Sequence, residues 1–105
     1  MSFDARGAQV GKHVGYDYEK ITVADTAIGL TTAKLTTKPQ PKRVYITLET
    51  APVRYRYDGT DPTDTEGHYM TPGSYLTITG ILNLKNFKAI RTGATSGVFR
   101  VSFER

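Results

Sequence analysis

Asp58, Asp61, Asp64 and Glu66 place four carboxylates in one short stretch, a density at which loop oxygens could converge on a hard cation such as calcium. The spacing does not follow the EF-hand pattern. In Asp58-Gly59 and Asp61-Pro62 the carboxylate is in a context where it normally accepts hydrogen bonds from N–H groups of its own loop. The stretch is therefore read as a turn, and no metal is expected. His13 and His68 share no spacing suited to a common ligand, and both are read as surface residues. Ser74 and Ser96 sit in loop-like sequence without the glycine-flanked elbow that exposes a nucleophile. Gly93-Ala94-Thr95-Ser96-Gly97 is glycine-rich, but no Lys-Ser or Lys-Thr closes it and no helix is expected to follow. It is read as a hairpin connection, not a phosphate cradle. The chain is expected to be no enzyme and to carry no cofactor.

Binding chemistry is better represented. The chain has seven tyrosines and no tryptophan, and Tyr and Arg are enriched among the residues that dominate protein interfaces. In Val53-Arg54-Tyr55-Arg56-Tyr57, Val53, Tyr55 and Tyr57 fall on one face of an extended strand and are assigned to the edge of the core. Arg54 and Arg56 fall on the other face. Arg54, Arg56, Tyr69 and Tyr75 are the candidate partner-binding residues. An alternative gives the tyrosines a carbohydrate-stacking role through Tyr55, Tyr69 or Tyr75.

These residues need strands to present them. Ile21 and Val23 are in phase within Tyr16 to Val23, and Ile28 with Leu30 suggests a short strand after Ala24-Asp25-Thr26. Thr31, Thr32, Thr36 and Thr37 favour β structure over helix, since β-branched side chains suit a pleated surface. Lys38-Pro39-Gln40-Pro41-Lys42 is a stiff connection. Val44, Ile46 and Leu48 then alternate with Tyr45, Thr47 and Glu49. Thr50-Ala51-Pro52 is read as turning this strand back onto Val53 to Tyr57 as an antiparallel neighbour. Tyr75 to Thr79, Phe87 to Thr92 and Val98 to Phe103 complete the set, and only Ile81 to Phe87 suggests a helical turn.

The pattern predicts an all-β, immunoglobulin-like or jelly-roll β-sandwich of about seven to eight antiparallel strands over residues 16–105, with a closed barrel as the other arrangement. Residues 1–15, with Gly7, Gly11 and Gly15, are read as a flexible N-terminal arm, either mobile or ordered by lying on a neighbouring subunit.

The chain has 105 residues, no cysteine and a formal charge of +4. Stability must come from packing and sheet hydrogen bonds, without disulfides or thiolate metal sites. No apolar run reaches the length of a membrane span and the first residues lack a signal-peptide core, so a soluble protein made in the cytoplasm is expected, without a membrane partner. Basic residues are dispersed, which argues against nucleic acid. Lys85, Lys88, Arg91, Arg100 and Arg105 weight the C-terminal part, and are read as solvated strand faces in preference to an acidic-partner surface.

Val53-Arg54-Tyr55-Arg56-Tyr57-Asp58-Gly59-Thr60-Asp61-Pro62-Thr63, followed by Gly67-His68-Tyr69-Met70 and Phe87-Lys88-Ala89-Ile90-Arg91, is similar to chitobiase C-terminal-type immunoglobulin-like domains. The resemblance implies an accessory sandwich module without catalytic function. The wider pattern, with Ile21-Thr22-Val23 and the end Val101-Ser102-Phe103-Glu104-Arg105, resembles small virion proteins of tailed bacteriophages. That likeness implies a structural protein of the virion, made in the host cytoplasm. It would bind the capsid surface as a decoration or cement protein, or the head-tail region, through its arm and loops. Its partners would be capsid or other virion proteins and further copies of itself.

Overall fold

A computed structural model of the chain describes residues 13–105. Its strands are β1 (Gly15–Val23), β2 (Ile28–Gly29), β3 (Arg43–Glu49), β4 (Val53–Arg56), β5 (His68–Met70), β6 (Tyr75–Thr79), β7 (Lys88–Arg91) and β8 (Gly97–Glu104). Two short helices, α1 (Thr32–Thr36) and α2 (Ile81–Asn86), join them. One four-stranded sheet has the order β1-β8-β3-β6 and the other β2-β7-β4-β5. All pairings are antiparallel, and the architecture is an all-β sandwich.

The alternation read from sequence supplies the core. Val44, Ile46 and Leu48 of β3 and Phe99, Val101 and Phe103 of β8 are buried from the first sheet. Val53, Ala89 and Met70 are buried from the second, with Phe87 beside them. In β3 and along most of β8 every other residue is buried, as the pleat dictates.

Of the arm expected over residues 1–15, residues 1–12 lie outside the described residues. Val14 exchanges backbone hydrogen bonds with Arg105, at 2.7 and 3.0 Å, and Gly15 opens β1. The helical turn expected within Ile81 to Phe87 is α2.

Three sequence expectations are corrected. First, β3 and β4 are not neighbours: β3 pairs with β6 and β8, while β4 pairs with β5 and β7 in the facing sheet. Thr50-Ala51-Pro52 has none of the Asn-Gly or Gly-X chemistry of a tight hairpin, and Pro52 has no N–H to give to a ladder. Thr50 takes φ 80, and the chain crosses between sheets so that two apolar faces meet across the core. The crossing packs on Gly97, where an added Cβ would lie 2.8 Å from the Ala51 carbonyl oxygen and 2.7 Å from Val53 Cγ1.

Second, the threonine-rich segment is helical, not extended. Burial of Leu35 outweighs local propensity. The hydroxyls of Thr36 and Thr37 donate back to the carbonyls of Thr32 and Ala33, at 3.1 and 2.8 Å. Glu19 of β1 accepts from both the N–H and the hydroxyl of Thr31 at the helix entrance.

Third, Tyr57 is not a core residue. β4 ends at Arg56, and Tyr57 is 44% exposed.

Candidate functional site

The loop from Asp58 to Gly67, between β4 and β5, is shaped by its own short-range chemistry. Gly59 has φ 91, a left-handed conformation that glycine adopts without steric cost. Asp58 Oδ1 accepts from the Thr60 N–H at 3.4 Å, the bond to the residue two positions on expected of Asp-Gly. Farther along, Thr63 and Glu66 exchange backbone bonds at 2.9 and 3.3 Å, and Pro62 is buried beneath them.

Gly67 returns the chain to the sheet with φ 135, and a Cβ there would meet the Tyr55 carbonyl oxygen at 3.1 Å and Pro62 Cβ at 3.2 Å. Only a residue without a side chain lets the loop lie this close to β4.

Arg54 braces the return. Its Nη1 donates to the Gly67 carbonyl at 2.9 Å and its Nε to the Asp64 carbonyl at 3.2 Å. Its guanidinium also lies 5.2 Å from the centroid of Tyr69, within cation–π range. Arg56 forms a two-pronged pair with Asp58, Nε to Oδ1 at 3.0 Å and Nη2 to Oδ2 at 2.5 Å. Hydrogen bonding from Arg56 holds the Asp58 carboxyl down at about 2, and the same pairing raises Arg56 above its ordinary value. Asp61 pairs separately with Lys88 of β7, at 3.0 Å. Two carboxylates of the acidic stretch, Asp58 and Asp61, are thus each taken up by a cation, and no group of three or more metal-ligating side chains assembles among the described residues.

Beside this loop lies an open cleft of about 550 Å³, lined by Arg54, Arg56, Tyr57, Asp58, Thr65, Glu66, Gly67 and His68. Tyr57 stacks on His68 with ring centroids 6.2 Å apart and planes 24° from parallel. His68 meets Tyr55 at 5.2 Å, Tyr55 meets Phe87 at 5.8 Å, and Phe87 meets Phe99 of the opposite sheet at 5.9 Å. The rings form a ladder from the buried core to the cleft. Burial raises the Tyr55 hydroxyl above its ordinary pKa, as does the neighbouring Tyr57.

The four candidate residues therefore divide. Arg54 and Tyr69 are register partners on the outer face of the second sheet, and Arg56 adjoins them at the cleft. Tyr75 stands apart on the outer face of the first sheet, 64% exposed and 5.7 Å from Tyr45. Tyr55, Tyr69 and Tyr75, the tyrosines considered for sugar stacking, lie respectively on the inner face of one sheet and the outer faces of both, so no two share a surface. The C-terminal cations are likewise dispersed: Lys88 on Asp61, Arg100 on Glu49 at 3.2 Å, and Arg105 over the Tyr16 ring at 4.3 Å.

Of the cleft lining, only Arg54 and Arg56 are among the candidate partner-binding residues read from sequence; Tyr57, Asp58, Thr65, Glu66, Gly67 and His68 are not. Tyr57 was hidden by its alternation with Val53 and Tyr55. The signal that could have exposed it is Asp58-Gly59 directly after it, which ends the strand and frees the preceding side chain from the core. Searches of protein-family models, curated proteins and solved structures find no match to the chain.

Proposed function

We propose that the chain is a non-enzymatic structural protein of a bacteriophage virion that docks on the capsid surface or the head-tail region, with further copies of itself alongside. The supporting observation is the Arg54–Tyr69 pair. Tyr69 is 55% exposed on an outer sheet face, and an arginine fixed by two main-chain carbonyls lies over its ring. A pre-set aromatic of this kind loses little conformational entropy on contact, so more of its burial appears as affinity. The resemblance of the wider pattern, with Ile21-Thr22-Val23 and the end Val101-Ser102-Phe103-Glu104-Arg105, to small virion proteins of tailed bacteriophages points the same way. On a particle, many copies each making a modest contact add through effective concentration.

The nearby ionisable groups favour a binding role over catalysis. Asp58 and Asp61 are held in ion pairs with cations, leaving neither as a base next to a nucleophile. Co-sedimentation of the purified chain with virions and empty heads of the phage carrying its gene tests the reading. Saturable pelleting that Tyr69→Ala weakens about tenfold or more is expected, the loss typical of an interface anchor. A chain that remains in the supernatant with both particles would sink the proposal.

A further inference from the structure

We infer that the cleft beside the Asp58–Gly67 loop is a binding site for an uncharged saccharide, with Tyr57 as its stacking face. Tyr57 is half-exposed, and its ring is backed by His68, Tyr55, Phe87 and Phe99 in succession. A ring held in this way offers a flat apolar surface in a fixed orientation.

The polar wall around it selects the ligand by charge. Arg54 and Arg56 are balanced by Asp58 and Glu66 within the same lining. An anion would meet the two carboxylates and a cation the two guanidiniums, whereas hydroxyls that both donate and accept suit both kinds of group. Hydrogen-bonding capacity also remains. Arg56 spends its Nε–H and an Nη2–H on Asp58, and a guanidinium has five N–H donors in all. Thr65, Glu66 and His68 add a hydroxyl, a carboxylate and an imidazole to the wall.

Size points to a small ligand. The cleft's volume of about 550 Å³ lies in the range of small-molecule sites and is concave, unlike the broad surface of a typical protein interface.

This inference can fail separately from the virion reading, because Tyr69, the particle contact, does not line the cleft, although Arg54 borders both. The test is a printed array of neutral and acidic glycans probed with the purified chain. Neutral oligosaccharides that are retained are then titrated against the ¹⁵N-labelled protein. Retention of neutral glycans is expected, with shift changes centred on Tyr57 and on Thr65 to His68. Tyr57→Ala should weaken binding about tenfold, the scale of one aromatic stacking contact. Tyr57→Phe should keep most of the affinity and Tyr75→Ala all of it. The inference is overturned if no glycan is retained, if only acidic glycans bind, or if Tyr57→Ala leaves affinity unchanged. It is overturned equally if Tyr57→Ala abolishes particle binding while no glycan binds, which would make the cleft a protein contact.

Discussion

Arg54→Ala distinguishes an arginine that holds the loop in place from one kept free for a partner. The wild-type side chain makes a part-buried bond to the Gly67 carbonyl at 2.9 Å, an exposed one to the Asp64 carbonyl at 3.2 Å, and a cation–π contact with Tyr69 at 5.2 Å. Hydrogen bonds to charged groups contribute about 1.5–3 kcal/mol, and the exposed member is worth a fraction of that. A cation over an exposed ring adds about 0.5–1 kcal/mol. Together these give an expected loss of about 2–4 kcal/mol, a large part of the roughly 5–15 kcal/mol that holds a domain of this size folded. In urea the midpoint should fall by about 1–2 M with the slope unchanged. Hydrogen exchange should accelerate first at Thr63 and Glu66, whose paired amides close the loop. Arg54→Lys should recover little, because an ammonium cannot reproduce the planar fork that reaches two carbonyls. A loss below about 0.5 kcal/mol, within the range of ordinary surface substitutions, with exchange unchanged, would refute the bracing role.

Two further outcomes follow from geometry. Gly97→Ala puts a methyl 2.7 Å from Val53 Cγ1 and 3.1 Å from Leu48 Cδ1, and such overpacking costs about 1–3 kcal/mol. The melting temperature should drop by roughly 5–15 °C, and an unchanged value would mean that the crossing between sheets relaxes freely. Asp58 titrates at about 2 in the folded chain, against about 3.9 in an unfolded one. Its folded value is depressed, so its contribution to stability is complete above about pH 4 and disappears as pH falls towards 2. Carboxyl ¹³C titration should give a midpoint near 2 that rises on Arg56→Ala, and a wild-type midpoint near 4 would contradict the pairing.

The fold class is legible because alternation survives in the strands that carry most of the core. Val44, Ile46 and Leu48, and likewise Phe99, Val101 and Phe103, are assigned to one face by their spacing alone. Pairing is less legible. The same period-2 pattern serves whether Val53 lies beside Leu48 in one sheet or across the core from it, and only the missing hairpin chemistry at Thr50-Ala51-Pro52 separates the two. The threonine-rich helix is hidden for another reason: its support comes from Glu19, a strand away, and from the burial of Leu35, neither of which is a local signal. The site is half legible. Arg54, Arg56 and Tyr69 do converge, but Tyr75 lies on another face, and Tyr57 reaches the cleft only because β4 ends one residue earlier.

The acidic loop, read from sequence as a turn, has a more specific electrostatic role in the folded chain. Arg56 of β4 stands opposite Lys88 of β7 on the outer face of the sheet. Like charges directly opposite one another destabilise a ladder. The chain runs from β4 straight into the loop that supplies the remedy: Asp58 folds back onto Arg56 and Asp61 onto Lys88. Each pair is exposed and adds little by itself, yet together they offset a repulsion that would otherwise act whenever the strand ends are paired. This neutralisation carries a consequence for the cleft. Asp58 and Asp61, committed to offsetting cross-strand cations, are poor ligands for calcium, and Arg56, so offset, is a poor anchor for an anion. What remains at the end of the aromatic ladder is a surface with donors, acceptors and a fixed ring face but almost no net charge, the chemistry that a neutral polyhydroxyl ligand requires.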